Sequence, residues 1–404
     1  MSGSKKKKKK RRIIIFTVEI ILLLLVLAGL FVWSKYQKLG EGVDIIDTDD
    51  IMNTDLDEST QEVLKGYTNV AILGLDNRTS GTFDAGNTDT IMIASINNDT
   101  QEVKLVSVYR DSYLNRSEDG TYNFGKATEA HNMKGGVKRT LGMLNRNFDL
   151  DIKDYVVVDF SAMIEVVDLL GGVEIEIDEG EAKWMSMYIH ETNVLTDHQS
   201  EMITEPGVYN LDGVQATAYC RIRYTDDGYD FRRAQRQREV LSKMVDKVKS
   251  AGLGTLNKII DAVFEEVSTS FSLPEIIALA SKMFDYELTD TIGFPFKLKV
   301  EKVNGKDMDV PCDLATNVTE LHKYLFNDYN YTPSNTVQNY SQQIIAETGL
   351  SAEDGGDAGV KADTYTEKSR KQANSSADDG QAGDGTGGTQ AGTNADGTQA
   401  GGTQ

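Results

Sequence analysis

The sequence predicts an α/β fold: a three-layer α-β-α sandwich with a mixed central sheet, preceded by one N-terminal transmembrane helix. Two observations predict it. From about residue 69 onward, short apolar runs bounded by turn residues alternate with stretches of helical periodicity, a pattern that packs helices on both faces of a sheet. At the start of the chain a basic arm runs straight into 21 apolar residues broken by one charge, long enough to cross a bilayer as a helix.

Lys5 to Lys10 with Arg11 and Arg12 make eight consecutive cations in an arm over residues 1–12. Ile13 to Trp33 follows, with Glu19 its single charge. The positive-inside rule keeps the arm in the cytoplasm and places everything after the span outside. No small-x-small site follows the apolar run, which favours an uncleaved signal-anchor over a removed signal peptide. Glu19 lies close enough to the cytoplasmic end to snorkel. A nucleic-acid or nuclear-targeting role for the lysine run is redundant beside such a span. Setting aside the eight arm cations and Glu19, the net charge of -21 becomes -28 for the outer portion. Such a surface repels polyanions, so an anionic ligand needs a local cationic pocket.

Residues 34–68 read as an acidic stalk and 69–332 as the folded domain. Strands are expected over 70–75, ending at Asp76, and over 90–96 and 103–108, with a turn at Asn97 to Thr100. A helix over 126–148, broken at Gly135-Gly136, precedes a strand over 155–160. Ser161 caps a helix to Leu170, and Gly171-Gly172 stops it. A strand over 173–177 leads into an irregular insertion from Glu179 to Pro206. A helix over 231–250 is followed by further helix and strand signals over 259–267, 273–284 and 292–303, then a short helix over 318–325. Residues 333–404 are expected to be a disordered tail. From Ser351 it is Gly, Asp, Ala, Thr and Gln with almost no large apolar residue.

Chemistry concentrates around Arg221 to Arg238, where six arginines crowd 18 residues. The guanidinium fork matches phosphate oxygens two at a time. Arg221 and Arg223 sit two apart in a segment that reads as extended, so both point to one face. In the next helix Val240, Leu241, Met244, Val245 and Val248 form an apolar stripe. Its backward extension contains Arg233 and Gln237, with Arg236 at its edge and Arg232 on the solvated side. A guanidinium aimed inward requires an anionic partner. Asp76 and Asp89 stand at neighbouring strand ends, where α/β sheets gather ligands. Two carboxylates beside an arginine pocket suit Mg²⁺ (or Mn²⁺) carried with a diphosphate. Arg110-Asp111 adds a cation at a third strand end. Cys220 and Cys312, outside the membrane, can form a disulfide bracing the pocket wall if the fold brings them together.

Asp76-Asn77-Arg78, Asp89-Thr90-Ile91, Ser107-Val108-Tyr109-Arg110-Asp111, Leu211-Asp212-Gly213, Ala218 to Arg223 and Asp230 to Gln237 together resemble the motifs of the LytR-CpsA-Psr family, in order and spacing, over roughly residues 69–250. The resemblance implies an extracytoplasmic, membrane-anchored phosphotransferase of Gram-positive type. Such an enzyme moves a phosphoglycan (teichoic acid or capsule) from a polyprenyl-pyrophosphate carrier onto peptidoglycan. It implies that Arg78, Arg110, Arg221, Arg223, Arg233, Arg236 and Gln237 grip the pyrophosphate. Asp76, Asp89 and Arg110 would be catalytic, with the two aspartates as Mg²⁺ ligands or one of them activating the acceptor hydroxyl. The polyprenyl chain would need an apolar slot, expected between helices at 126–148, 161–170 and 240–248. Two positions depart from the family pattern: Asn87 stands where an arginine is usual, with Arg78 as the compensating cation, and Tyr109 replaces a proline. A non-catalytic binder or regulator of lipid-linked wall polyanions, and a hydrolase acting on the same lipid, use the same arginines and stay open at this level.

Overall fold

The computed structural model describes residues 46, 50–76, 83, 86–118, 121–224, 229–252, 254–256, 258–259 and 267–357. The basic arm, the 13–33 stretch, Arg78 and the segment after 357 lie outside the described residues. Among the described residues no helix is long and apolar enough to cross a membrane.

The chain enters the fold through α1 (Glu58–Lys65), whose first turn is capped by the Asp57 carboxylate accepting from the Thr60 N–H. β1 (Tyr67–Leu75), β2 (Thr88–Asn97) and β3 (Glu102–Val108) then form an antiparallel meander. A small hairpin of β4 (Tyr113–Asn115) and β5 (Phe124–Lys126) follows. The helix expected over 126–148 is shorter: one 3₁₀ turn covers Ala127–Glu129, and α2 runs Gly136–Phe148. Gly135 and Gly136, both at positive φ, force the break. β6 (Asp154–Val158) pairs in parallel with β1. α3 (Phe160–Leu169) is capped by Asp159 rather than by Ser161, because the carboxylate two residues earlier reaches the Ala162 N–H.

β7 (Val173–Ile177) pairs with β8 (Gly207–Leu211) outside the main sheet. Between them the segment expected to be irregular is an 18-residue helix, α4 (Glu179–Thr196), started by a capping box between Asp178 and Glu181. α5 (Gly213–Arg221) and α6 (Tyr229–Ser250) complete this region. β9 (Val267–Thr269), α7 (Leu273–Ser281) and β10 (Glu287–Phe294) return to the sheet, whose order is β10-β3-β2-β1-β6-β9 with parallel and antiparallel pairs. The central sheet is mixed, as expected. β11 (Lys297–Val303), β12 (Lys306–Pro311), α8 (Leu314–Phe326), α9 (Asn335–Thr348) and β13 (Gly356–Asp357) close the described chain.

The two faces of the sheet do different work. On one, Ala71, Leu73, Ile91, Ile93 and Val106 pack with residues of α2, α8 and α9 into the main core. Alternate residues, Ile72, Thr90 and Met92, point the other way and line a cavity roofed by α3, α4, α5 and α6. α2 therefore does not line the apolar slot expected of it; α4 does instead.

The boundaries also move. Ile51 and Leu64, within the expected stalk, and Val337, Tyr340 and Ile344, within the expected tail, are buried in the main core. Asp149, fully buried at the end of α2, accepts from Asn53 (2.5 Å), from the Tyr331 hydroxyl (2.6 Å) and from both the N–H and the hydroxyl of Ser334 (2.8 and 2.7 Å). That one carboxylate ties both flanking segments to the domain, since leaving it unpaired in the core would be costly.

Candidate active site

Asp89 is the hub of the site, and a strand irregularity puts it there. β1 and β2 stay in register until Gly74 opposite Thr90; the next pair is Leu75 opposite Thr88. Asp89 is the extra residue of a bulge, a device that re-aims a side chain. Three guanidinium groups converge on it. Arg110, just beyond β3, donates to Asp89 Oδ1 at 2.5 Å. Arg223, just beyond α5, donates to Oδ2 at 2.9 Å. Arg233 on α6 donates to Oδ2 and to the Asp89 carbonyl, both at 3.3 Å.

Arg233 is only 4% exposed. Burial pulls its pKa down, and Asp230 (3.2 Å from its Nη2) and Asp89 oppose that pull. At Arg110 burial also works against the charge, but Asp89 and Asp111 outweigh it and the pKa is raised. Asp111 and Asp230 flank the same guanidinium groups, yet each guanidinium carries five N–H donors, more than these three carboxylates take up.

The cavity at this hub has a volume of about 410 Å³. Asp76, Asp89, Arg221, Arg223, Arg233 and Gln237 line it on the polar side; Ile72, Met92, Val158, Met163, Val166, Leu241 and Met244 line its apolar side. A charged end joined to an apolar slot is the shape of a lipid with an anionic headgroup.

The structure brings most of the expected residues together and separates two. Arg221 ends α5 rather than lying in a strand, and the backbone leaves the helix at Ile222. The two arginines therefore diverge. Arg223 reaches Asp89, whereas Arg221 crosses to α4, donating to Thr192 Oγ1 (2.9 Å) and Glu191 (3.4 Å) with its guanidinium over the Phe160 and Tyr188 rings. Arg221 still lines the cavity. Arg236 does not: 3% exposed, it is committed to Glu181 (2.9 Å) and to the Ile222 carbonyl (3.0 Å). It holds the turn that delivers Arg223. Gln237 lines the cavity and donates to the Cys220 carbonyl at 3.4 Å. Arg232 bonds Gln235 on its own helix.

Sequence reasoning did not single out Asp230, Glu181 and Glu191 as partners of these arginines. Asp230 was visible inside the arginine-rich motif, but Glu181 and Glu191 lay in the stretch read as irregular.

Other residues in and beside the motifs shape the backbone around the site. Asp212 caps α5 through the Gln215 N–H, and a side chain at Gly213 would strike the Ile164 carbonyl of α3 at 2.3 Å. Tyr109, in the place of a proline, donates its N–H to the Phe294 carbonyl (2.9 Å), a bond proline cannot make. Its ring packs edge-on against Phe231 of α6. Asn87 accepts the Asp76 N–H through its carbonyl (3.2 Å), the last rung between the two strands.

The disulfide is not formed. Cys312 is buried in the main core and Cys220 lines the cavity on the other face, and both are free thiols. Burial pushes the Cys220 thiol up to about 12, which makes it a poor nucleophile.

Asp76 and Asp89 share the cavity wall, and among the described residues no cation pairs with Asp76. Two carboxylates fit Mg²⁺, which takes its remaining ligands from water and phosphate oxygens. Among the described residues no group of three or more His, Cys, Asp or Glu could hold a metal by itself.

The LytR_cpsA_psr family model matches residues 35–318, well over half of the chain. The chain belongs to the LytR_cpsA_psr family. Among relatives of this family member is the polyisoprenyl-teichoic acid–peptidoglycan teichoic acid transferase TagT of Bacillus subtilis (strain 168). It is 28% identical over 261 residues, 61% of this chain and 76% of TagT. TagV of the same organism, a transferase of the same description, is 25% identical over 258 residues, 61% of each chain. The solved structure of TagT bound to LIIa-WTA superposes with a TM-score of 0.52 at 25% identity, covering 67% of this chain and 93% of that one. The structure of gbs0355 from Streptococcus agalactiae, 19% identical with a TM-score of 0.55 over 69% of this chain and 94% of its own, shares the fold.

Proposed function

We propose that this LytR_cpsA_psr protein transfers a phosphoglycan from a polyprenyl-pyrophosphate carrier to a hydroxyl of peptidoglycan. The observation that carries the reading is the joined cavity, with three guanidinium groups on Asp89 at one end and apolar side chains at the other. Arg223 and Arg233 grip the diphosphate together with Arg221 and Gln237, which line the same cavity, and Arg110 joins them through its bond to Asp89. The names of the related transferases support the same substrate and acceptor.

The acceptor oxygen attacks the phosphorus that carries the glycan. The bond from that phosphorus to the bridging oxygen breaks, and polyprenyl monophosphate leaves with the electron pair. Asp76, exposed at the cavity wall, takes the hydroxyl proton, since Asp89 already accepts from three guanidinium groups. Transfer of this kind is mostly positioning and charge stabilisation. Mg²⁺ or Mn²⁺, which when bound neutralises phosphate charge, would be held by Asp89 with phosphate oxygens and water, leaving Asp76 beside it to take the proton. The 13–33 stretch anchors the protein with its basic arm in the cytoplasm and its catalytic domain outside.

The test is transfer of a radiolabelled phosphoglycan from a polyprenyl-pyrophosphate donor to purified peptidoglycan by the full chain, with and without Mg²⁺. Metal-stimulated transfer that falls at least about a hundredfold in Arg233→Ala and Asp89→Ala is expected. Donor binding without transfer or release would make the protein a binder instead.

A further inference from the structure

Behind the arginine hub lies a carboxylate that the transfer reaction does not use. Asp309 on β12 is 5% exposed, and among the described residues its Oδ2 has no hydrogen-bond partner. Its placement is fixed by the backbone: the Asp309 N–H donates to the Asp111 carbonyl at 2.9 Å, and Ser112 forms an isolated bridge to it.

The charged groups that face it come from three elements: Asp111 beyond β3, Lys126 on β5, and Asp230 and Arg233 on α6. Asp111 in turn holds Lys126 (2.9 Å) and Arg110 (3.3 Å), and Arg110 and Arg233 hold Asp89. Asp309 therefore faces Arg233 directly and lies one step, through Asp111, from Arg110. Burial, then the Asp111 and Asp230 carboxylates, push its pKa up to about 7 against the pull of Lys126 and Arg233.

We propose that Asp309 is a positioning residue for the diphosphate: it takes up a proton as the anion arrives, so that Arg110 and Arg233 turn their charge to phosphate rather than share it with a further, more deeply buried carboxylate behind them. The inference rests on reading the cavity as a diphosphate site. An arriving diphosphate raises the proton affinity of Asp309, and by reciprocity an ionised Asp309 weakens diphosphate binding by the same factor. A unit charge held near a partly buried anion changes affinity by roughly three- to tenfold.

The test is calorimetric binding of inorganic pyrophosphate to the full-length protein between about pH 6 and about pH 8.5, for the unaltered chain, Asp309→Asn and Lys126→Gln. The probe's own ionisation is common to all three, so affinity ratios isolate the protein. Asp309→Asn should match the unaltered protein at about pH 6 and bind roughly three- to tenfold more tightly at about pH 8. Lys126→Gln keeps Asp309 but removes a cation facing it, so the pH-dependent step should move to higher pH; this arm stands even if Asp309→Asn fails to fold. Ratios that stay constant across the range overturn the proposal and leave the diphosphate site standing. No pyrophosphate binding by the unaltered protein at any pH overturns both.

Discussion

Arg233 and Arg236 lie three residues apart on α6, are equally buried, and do different things. Arg233 faces the cavity with Asp89; Arg236 is sealed against Glu181, whose own pKa burial raises despite that partner. Removing one member of a buried pair costs about 3–5 kcal/mol. Arg236→Ala should therefore lower the denaturation midpoint by an amount equivalent to roughly that loss. Arg233→Lys should instead leave the fold near its original stability and reduce transfer at least about tenfold, because a point charge does not replace the fork. Matching stability losses in the two variants would contradict the division of labour. The sequence placed both side chains near the inward stripe because helical spacing is local. It could not assign Arg236, because its partner lies 55 residues away.

Asp309 carries a stability signature at the same scale. Its pKa rises from 3.8 unfolded to about 7 folded. Between those values the folded state keeps a proton that the unfolded state has lost, so stability falls as pH rises through the window, and the penalty is complete above it. Asp309→Asn should leave stability unchanged near pH 4 and raise it by up to a few kcal/mol near pH 8, read from urea midpoints. An equal gain at both pH values would contradict this.

At the scale of elements, the strands of the meander were legible because each alternates or runs apolar between turn residues. α4 and α9 were not. α4 carries most of its charged residues outward, Glu181 excepted, and buries Ala182, Met185 and Ile189 on one side, next to residues that look like loop. α9 is rich in Asn, Gln, Ser and Thr and buries Val337, Tyr340 and Ile344 at spacings of three and four; a low apolar content hid a correct helical period. α9 is nevertheless part of the core, so a chain ended at residue 332 should fail to fold cooperatively, while one ended at 357 should keep the thermal midpoint of the whole protein. Equal midpoints for both would return α9 to the tail. Gly213 marks another element-scale constraint. Gly213→Ala should cost about 1–3 kcal/mol, because α5 and α3 must separate to admit the methyl group.

For the molecule as a whole, the strongly acidic composition and the cavity describe one design: a net charge of -21 that turns anions away, and a single place among the described residues where guanidinium groups gather beside an apolar slot. The arginines were legible in the sequence; the slot's walls were half legible, since a side chain that lines a cavity and one that fills a core share the same periodicity. The central claim is that headgroup and lipid chain occupy this one cavity together. The most direct measurement is the affinity of the full-length protein for inorganic pyrophosphate, geranyl diphosphate and farnesyl diphosphate, with Met163→Trp alongside. Each methylene buried is worth about 0.8 kcal/mol, so affinity should climb by more than about tenfold from pyrophosphate to farnesyl diphosphate, and Met163→Trp, which fills the slot, should erase the gain while leaving pyrophosphate binding in place. Equal affinity across the series would separate the arginine hub from any lipid site and contradict the account.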